Sequence, residues 1–391
     1  MSRQSQVFMK VSKSILAVAF FFGCMMCFSG LSLAQNATPD QAIALEQQGK
    51  LDEATEAWKA VTKQNPKDAR AFASLGVVLS KQQKYQEAAN AYKRALALSP
   101  HLPGIQLNLG LAEYKQGSFR DAITSFKAAL RQDPNNPQIT SLLGFSYYGA
   151  SQFSDAVKYL RPLAKADPNN AELHQMLAES CLRSKQYACA QEEFQKILQQ
   201  NPNSASAHIL MGEALDGLSR TPEAIAEFQA AIKVSPQEPN VHFGLGYLYW
   251  KSHQYDDAKR EFNAELALDP KSAQSFTYLG DIELKNDHPD TAVSFLQKAT
   301  EINHNIRVAY IDLGAALTEL KQYEEAISAL QRAVELDPTR PDAHYRLGRV
   351  YQATGNKEEA NKEFAKVRAL HEKADENVLL PQMPAPTSSH Q

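Results

Sequence analysis

Across residues 35–374 the apolar side chains keep one rhythm: they recur three and four places apart, stop at a short polar break, resume with the same spacing, and stop again. That spacing marks one face of an α-helix, so the pattern predicts pairs of helices joined by short turns along this whole stretch. Set in rows of 34 from Gln35, the stretch fills ten rows with no insertion or deletion. A hairpin of two short helices cannot bury its apolar face alone, so neighbouring rows must stack and share one continuous core.

The columns of this layout show what each position does. Column 20 is Ala in every row, from Ala54 and Ala88 to Ala326 and Ala360. Column 8 is Gly in eight rows and Ala in the other two, at Ala42 and Ala178, which is expected where two backbones approach. Column 24 is always large and apolar, as at Trp58, Phe126, Phe228 and Phe364, and should fill the core. Column 32 is Pro in eight rows, from Pro66 to Pro338, usually after Asp, Asn or Ser, a combination that stops one helix before the next. Pro103, Pro137, Pro239 and Pro341 are expected at the first position of the helix that follows, where a missing N–H costs nothing.

Helical hairpins of 34 residues with Leu-Gly, Ala, an aromatic, Ala and Pro in these columns resemble tetratricopeptide repeats. The resemblance implies an all-α chain, a right-handed α-solenoid of ten tandem helix-turn-helix repeats at 35–68, 69–102, 103–136, 137–170, 171–204, 205–238, 239–272, 273–306, 307–340 and 341–374. It further implies a concave groove lined by the first helix of each repeat. The departures are Gln41 in the first row, His304 in the eighth and Glu372 in the tenth. Irregular terminal rows suit caps that must face water.

Outside the repeats, Arg3, Lys10 and Lys13 precede an apolar run at 15–28, and Ser32-Leu33-Ala34 follows with small residues at the cleavage positions. Residues 1–34 therefore read as a secretory signal peptide, with an uncleaved membrane anchor and lipid attachment at Cys24 or Cys27 as alternatives. The expected location is the periplasm or cell envelope, with no membrane span after cleavage. Cleavage would leave 38 basic residues against 44 acidic, a balance without the basic footprint of nucleic-acid binding. Cys181 and Cys189 would remain, as two buried thiols or as a disulfide. Residues 375–391, with Pro381, Pro384 and Pro386, are expected to be a disordered tail.

If columns 4, 7, 8 and 11 bury one face of the first helix, columns 2, 5, 9 and 12 lie opposite and should be polar. In several rows they are not. Row three has Gly104, Leu107, Leu111 and Tyr114 there, row four has Phe145 and Tyr148, and row seven has Asn240, Phe243, Tyr247 and Trp250. A helix apolar on both faces needs a second partner. Column 9 runs from apolar residues into the acids Glu179, Glu213 and Asp281. The matching ligand is a protein or peptide segment with apolar anchors near Phe145 and Tyr247 and basic residues near the acids. The alternative is that these aromatics pack on neighbouring first helices.

The Lys, Asn and Arg set by which certain tetratricopeptide repeats hold chaperone carboxylates is absent, as is the asparagine ladder of the repeat-bearing glycosyltransferase. His174, His208, His242 and His344 share column 4, a packing position, and one repeat of separation is too wide for a shared metal ion. No phosphate loop, nucleophile elbow or His-Glu-x-x-His occurs; His371-Glu372-Lys373-Ala374-Asp375 lacks its second His. No metal or cofactor is expected, and no enzyme. The expected function is a protein-binding scaffold, with a structural spacer or assembly chaperone of an envelope machine (a pilus, an exopolysaccharide exporter) and an accessory subunit of an enzyme complex as alternatives.

Overall fold

The computed structural model describes residues 37–379; the expected signal segment 1–34 and the chain beyond residue 379 lie outside them. Among the described residues there are twenty helices and no strand. They divide into two compact units, Met1–Ser184 and Lys185–Gln391. The first holds α1 (Pro39–Gln47), α2 (Leu51–Gln64), α3 (Ala69–Lys81), α4 (Tyr85–Leu98), α5 (Ile105–Lys115), α6 (Phe119–Gln132), α7 (Pro137–Gly149), α8 (Phe153–Ala166) and α9 (Ala171–Arg183). The second holds α10 (Tyr187–Gln200), α11 (Ala205–Gly217), α12 (Thr221–Val234), α13 (Val241–Lys251), α14 (Tyr255–Leu268), α15 (Ala273–Lys285), α16 (Pro289–Ile302), α17 (Arg307–Glu319), α18 (Tyr323–Leu336), α19 (Pro341–Ala353) and α20 (Lys357–Leu379). Within each unit a first helix packs on its own second helix and on the second helix of the preceding repeat.

The repeated spacing of small and large residues explains the close packing of each hairpin. The column 20 alanines are completely buried in nine rows, and Ala360 is 3% exposed. Tyr92, Phe126, Leu160, Phe262 and Leu296, all in column 24, are among the largest fully buried side chains. The column 8 glycine faces that side chain: a Cβ on Gly76 would come 2.5 Å from the Tyr92 ring, and one on Gly110 would come 2.6 Å from Phe126. The small residue is therefore required first by the column 24 side chain, an aromatic ring in five of the eight rows and leucine at Leu160, Leu296 and Leu330, with the partner backbone also close at Gly212 and Gly314, where the Ala224 and Ala326 carbonyls lie 3.3 Å away. An added methyl there must displace a core side chain.

Both ends of the hairpins are built from local chemistry. Asp68, Asn136, Asn170, Ser204 and Ser272, each the last residue of a row, cap the following helix by accepting backbone N–H bonds. Between the two helices, column 15 is left-handed in all ten rows, with φ between 58° and 82°. The next N–H then reaches back to the first helix, as from Lys84 to the Leu79 carbonyl at 3.0 Å and from Gln322 to that of Leu317 at 2.9 Å. This is the Schellman closure.

Three expectations change here. Pro137 and Pro341 open their helices, but α5 and α13 start two residues after Pro103 and Pro239, capped by Gly104 and Asn240 in the left-handed region. Those two cap residues accordingly do not lie on the helix face assigned to them from column 2. Cys181 and Cys189 are disulfide-bonded, where buried free thiols were one of the two readings. Helix α20 runs to Leu379, past the end of the tenth row at residue 374.

Candidate functional site

In the first unit, the inner faces of α5, α7 and α9 enclose a recess of about 760 Å³. Tyr114 comes from α5, Phe119 from the first position of α6, Phe145 and Tyr148 from α7, and Glu172, Met176 and Glu179 from α9. The 34-residue period places column 12 at Tyr114 and Tyr148 and column 9 at Phe145 and Glu179, so consecutive first helices present them side by side. Gly149 completes the wall: a Cβ there would come 2.9 Å from the Phe119 ring, so its absence lets that ring lie against the end of α7. Phe119 meets Tyr114 edge to face, with centroids 5.5 Å apart.

The polar groups of the recess are held in place. Tyr148 donates its hydroxyl to Glu179 Oε2 at 2.5 Å, and Gln175 donates to Oε1 at 2.9 Å. The bond to Glu179, with burial and that carboxylate's charge added, pushes the Tyr148 hydroxyl up to about 12. Burial, and then the Glu172 carboxylate, raises Tyr114 above the usual tyrosine value. Among the described residues, two carboxylates and no basic side chain line the recess.

The second unit repeats the same crossing with another outcome. Trp250 of α13 donates Nε1–H to Asp281 of α15 at 2.5 Å, in the same columns as Tyr148 and Glu179. Here Asp281 is also ion-paired to Lys285, whose Nζ sits 5.5 Å from the centre of the Trp250 ring. Tyr278 fills the space between: its ring lies 4.9 Å from Trp250, 5.8 Å from Tyr247, 5.9 Å from Phe243 and 5.4 Å from the core ring of Phe262. Tyr247 stacks on Trp250 at 5.9 Å. These aromatics are thus packed on one another and on the core below.

The structure brings Tyr114, Phe145, Tyr148 and Glu179 together in the recess, and Phe243, Tyr247, Trp250 and Asp281 in the packed cluster. Leu107 and Leu111 are half-buried on α5 outside the recess lining, and Glu213 is exposed on α11. Phe119, Met176 and Tyr278 were missed. Met176 and Tyr278 occupy column 6, one place beyond the face chosen, and Phe119 belongs to a second helix, so no first-helix pattern could have found it.

The column 4 histidines form a repeated latch. His208, His242 and His344 each set Nδ1 against a column 23 glutamate of their own repeat, at 2.6, 2.7 and 2.5 Å, and Nε2 against the carbonyl of the preceding column 32 proline. His174 makes the same contact to the Pro168 carbonyl at 3.1 Å. No group of three or more His, Cys, Asp or Glu side chains able to hold a metal occurs among the described residues.

Family models match this repeat array in several stretches: "TPR repeat" at 218–252 and 314–355, "Tetratricopeptide repeat" at 147–214 and again at 342–374. The chain is a tetratricopeptide-repeat protein. Two further models match parts of the tetratricopeptide array, the "Cytochrome c-type biogenesis protein H TPR domain" at 61–161 and "Anaphase-promoting complex, cyclosome, subunit 3" at 251–333. Among solved structures, the chain is similar to YrrB, titled a TPR protein with an unusual peptide-binding site, at 25% identity and TM-score 0.40 over 49% of this chain and 98% of that one. It is similar to PilF of Pseudomonas aeruginosa at 17% identity and TM-score 0.47, over 51% and 91%. Similarity to the Cut9 and Hcn1 hetero-tetramer of the anaphase-promoting complex is 15% with TM-score 0.48, over 90% and 92%. No curated protein matches the chain. A tetratricopeptide array is a scaffold typical of protein–protein interaction, and no helix among the described residues is long and apolar enough to cross a membrane.

Proposed function

We propose that this protein is a non-enzymatic scaffold of the cell envelope that holds a segment of a partner polypeptide against the first-helix face of its first unit. The observation that carries the reading is the recess itself: ring walls, an oriented carboxylate and no side chain of the described residues filling it. The basic, apolar and small-residue order of 1–34 and the match of 61–161 to a cytochrome c biogenesis repeat domain support the envelope location. The test is photo-crosslinking in living cells of the source organism, with the reactive residue at Phe145 in one strain and at Tyr247 in another. One dominant protein attached at Phe145, with little at Tyr247, is expected. The same adducts in a Tyr114→Ala/Tyr148→Ala background would exclude the recess as the site.

A further inference from the structure

The first-unit recess carries more than a preference for apolar segments. Aromatic rings from Tyr114, Phe119, Phe145 and Tyr148 stand on its walls, and the carboxylates of Glu172 and Glu179 stand beside them. A ring face attracts a cation through its quadrupole, and the attraction grows when the cation is partly desolvated. Glu179 is fixed by Tyr148 and Gln175, both neutral donors, so its charge is oriented without being neutralised. Glu172 is exposed and forms no ion pair with any described residue. In the second unit the equivalent acid, Asp281, already has its cation in Lys285, which also covers the Trp250 ring. The first unit has the same crossing of aromatic donor and acid, but Arg183, which stands in the column of Lys285, is exposed and forms no ion pair with Glu179 among the described residues.

We propose that the recess is the anchor site for one arginine side chain of the partner segment, its guanidinium among the rings and directed at Glu172 and Glu179, its neighbours in the partner resting on Met176 and Leu173. Arginine fits better than lysine. Its planar group stacks on aromatic rings, is more weakly hydrated than an ammonium, and can engage two carboxylates through separate N–H bonds. A recess of about 760 Å³ lies within the range that encloses a ligand-sized group. This rests on the proposed polypeptide-binding role and specifies its chemistry.

The test uses the purified full chain and four mixtures of random nonapeptides that differ only in a fixed central residue: arginine, citrulline, lysine or norleucine. Citrulline keeps the shape of arginine and removes the charge. Fluorescence anisotropy is expected to show the arginine mixture bound about ten-fold more tightly than the citrulline mixture, with lysine between. The Glu172→Gln/Glu179→Gln variant, with its fold checked by circular dichroism, should lose that preference. Equal binding of all four mixtures, or none, overturns the inference. If equal binding is still lost on Phe145→Ala, the recess binds polypeptide and only the arginine anchor fails; if Phe145→Ala changes nothing, both readings fail. Displacement of the arginine mixture by choline at lower concentration than by free arginine overturns it in favour of a small-cation site.

Discussion

Tyr148 with Glu179 in the first unit and Trp250 with Asp281 in the second are the same construction, an aromatic donor in column 12 bonded to an acid in column 9 of the next repeat. One crossing borders an open recess and the other is sealed. Two substitutions in equivalent columns, together with a different partner for the acid, account for the difference. Column 6 carries Met176 in one and Tyr278 in the other, and the tyrosine ring fills the space between helices. Column 13 of the aromatic's own repeat is Gly149 against Lys251, and Lys251 instead pairs with Asp216 at 2.7 Å. The acid is met by Gln175 in one case and by Lys285 in the other. A repeat fixes where side chains stand, and the residue chosen in a few columns decides whether that place becomes core or site.

The comparison is tested most severely by stability. Trp250 is packed against Tyr247 and Tyr278 and hydrogen-bonded, so Trp250→Ala should destabilise the second unit by about 3 kcal/mol. Tyr148→Ala borders open space and should cost about half as much. Hydrogen exchange resolved by helix is the measurement, with loss of protection expected over α13 to α15 for the first variant. Equal costs for the two would mean that both crossings are core.

Closing the open site should mimic the sealed one. Gly149→Lys places in the first unit the residue that the second unit has at that column, and its Cβ must move the Phe119 ring. We expect partner capture at Phe145 to be lost, with a stability cost of about 1–2 kcal/mol from the displaced ring. Undiminished crosslinking at Phe145 would show that the recess is not where the partner sits.

How much of this could be read from residue order depends on the length scale of the signal. Ala54 through Ala360 and the column 8 glycines repeat because every hairpin needs them, so the helices and their pairing were legible. Columns 9 and 12 correctly placed Phe145, Tyr148 and Glu179 on one face, since helical geometry alone determines that. Whether the face is empty was not legible. That depends on Phe119, Met176, Gly149 and Tyr278, residues from other columns whose effect appears only when neighbouring repeats are stacked. The start of α5 and α13 was misplaced for a local reason: Gly104 and Asn240 adopt a left-handed cap that a proline two residues earlier does not announce.

The second unit also has a charge the first lacks. Asp312 of α17 is pushed up to about 7, by burial and then by the Asp281 carboxylate, with Arg346 and Lys285 pulling the other way. In the unfolded chain the group ionises near 3.8, so between that pH and about 7 the folded state holds a proton that the unfolded state has released. Its contribution to stability is complete below 3.8 and is lost as pH rises through about 7. Asp312→Asn should therefore stabilise the protein at pH 8 by on the order of 1 kcal/mol and change little at pH 4. Thermal melting at the two pH values measures this, and an equal shift at both would assign the effect to something other than titration.

The smallest expected effect concerns the turns inside the hairpins. All ten are left-handed at column 15, yet the first unit has Gly49 and Gly117 among its four and the second has only Gly355 among its six. An L-residue with a Cβ is strained there, and glycine is not. Lys321, at φ 58°, forms no ion pair with a described residue, so Lys321→Gly removes the strain without removing an ion pair. Relief of strain should outweigh the extra freedom glycine gives the unfolded chain, and the variant should gain about 0.5–1 kcal/mol. Gly117→Ala in the first unit should lose about the same, since a Cβ there meets nothing within 4 Å and only the backbone conformation opposes it. Opposite signs in the two melts would show that the left-handed backbone, and not a side-chain contact, sets the cost at this column in both units. A loss in both would mean that Lys321 supports its turn by its side chain.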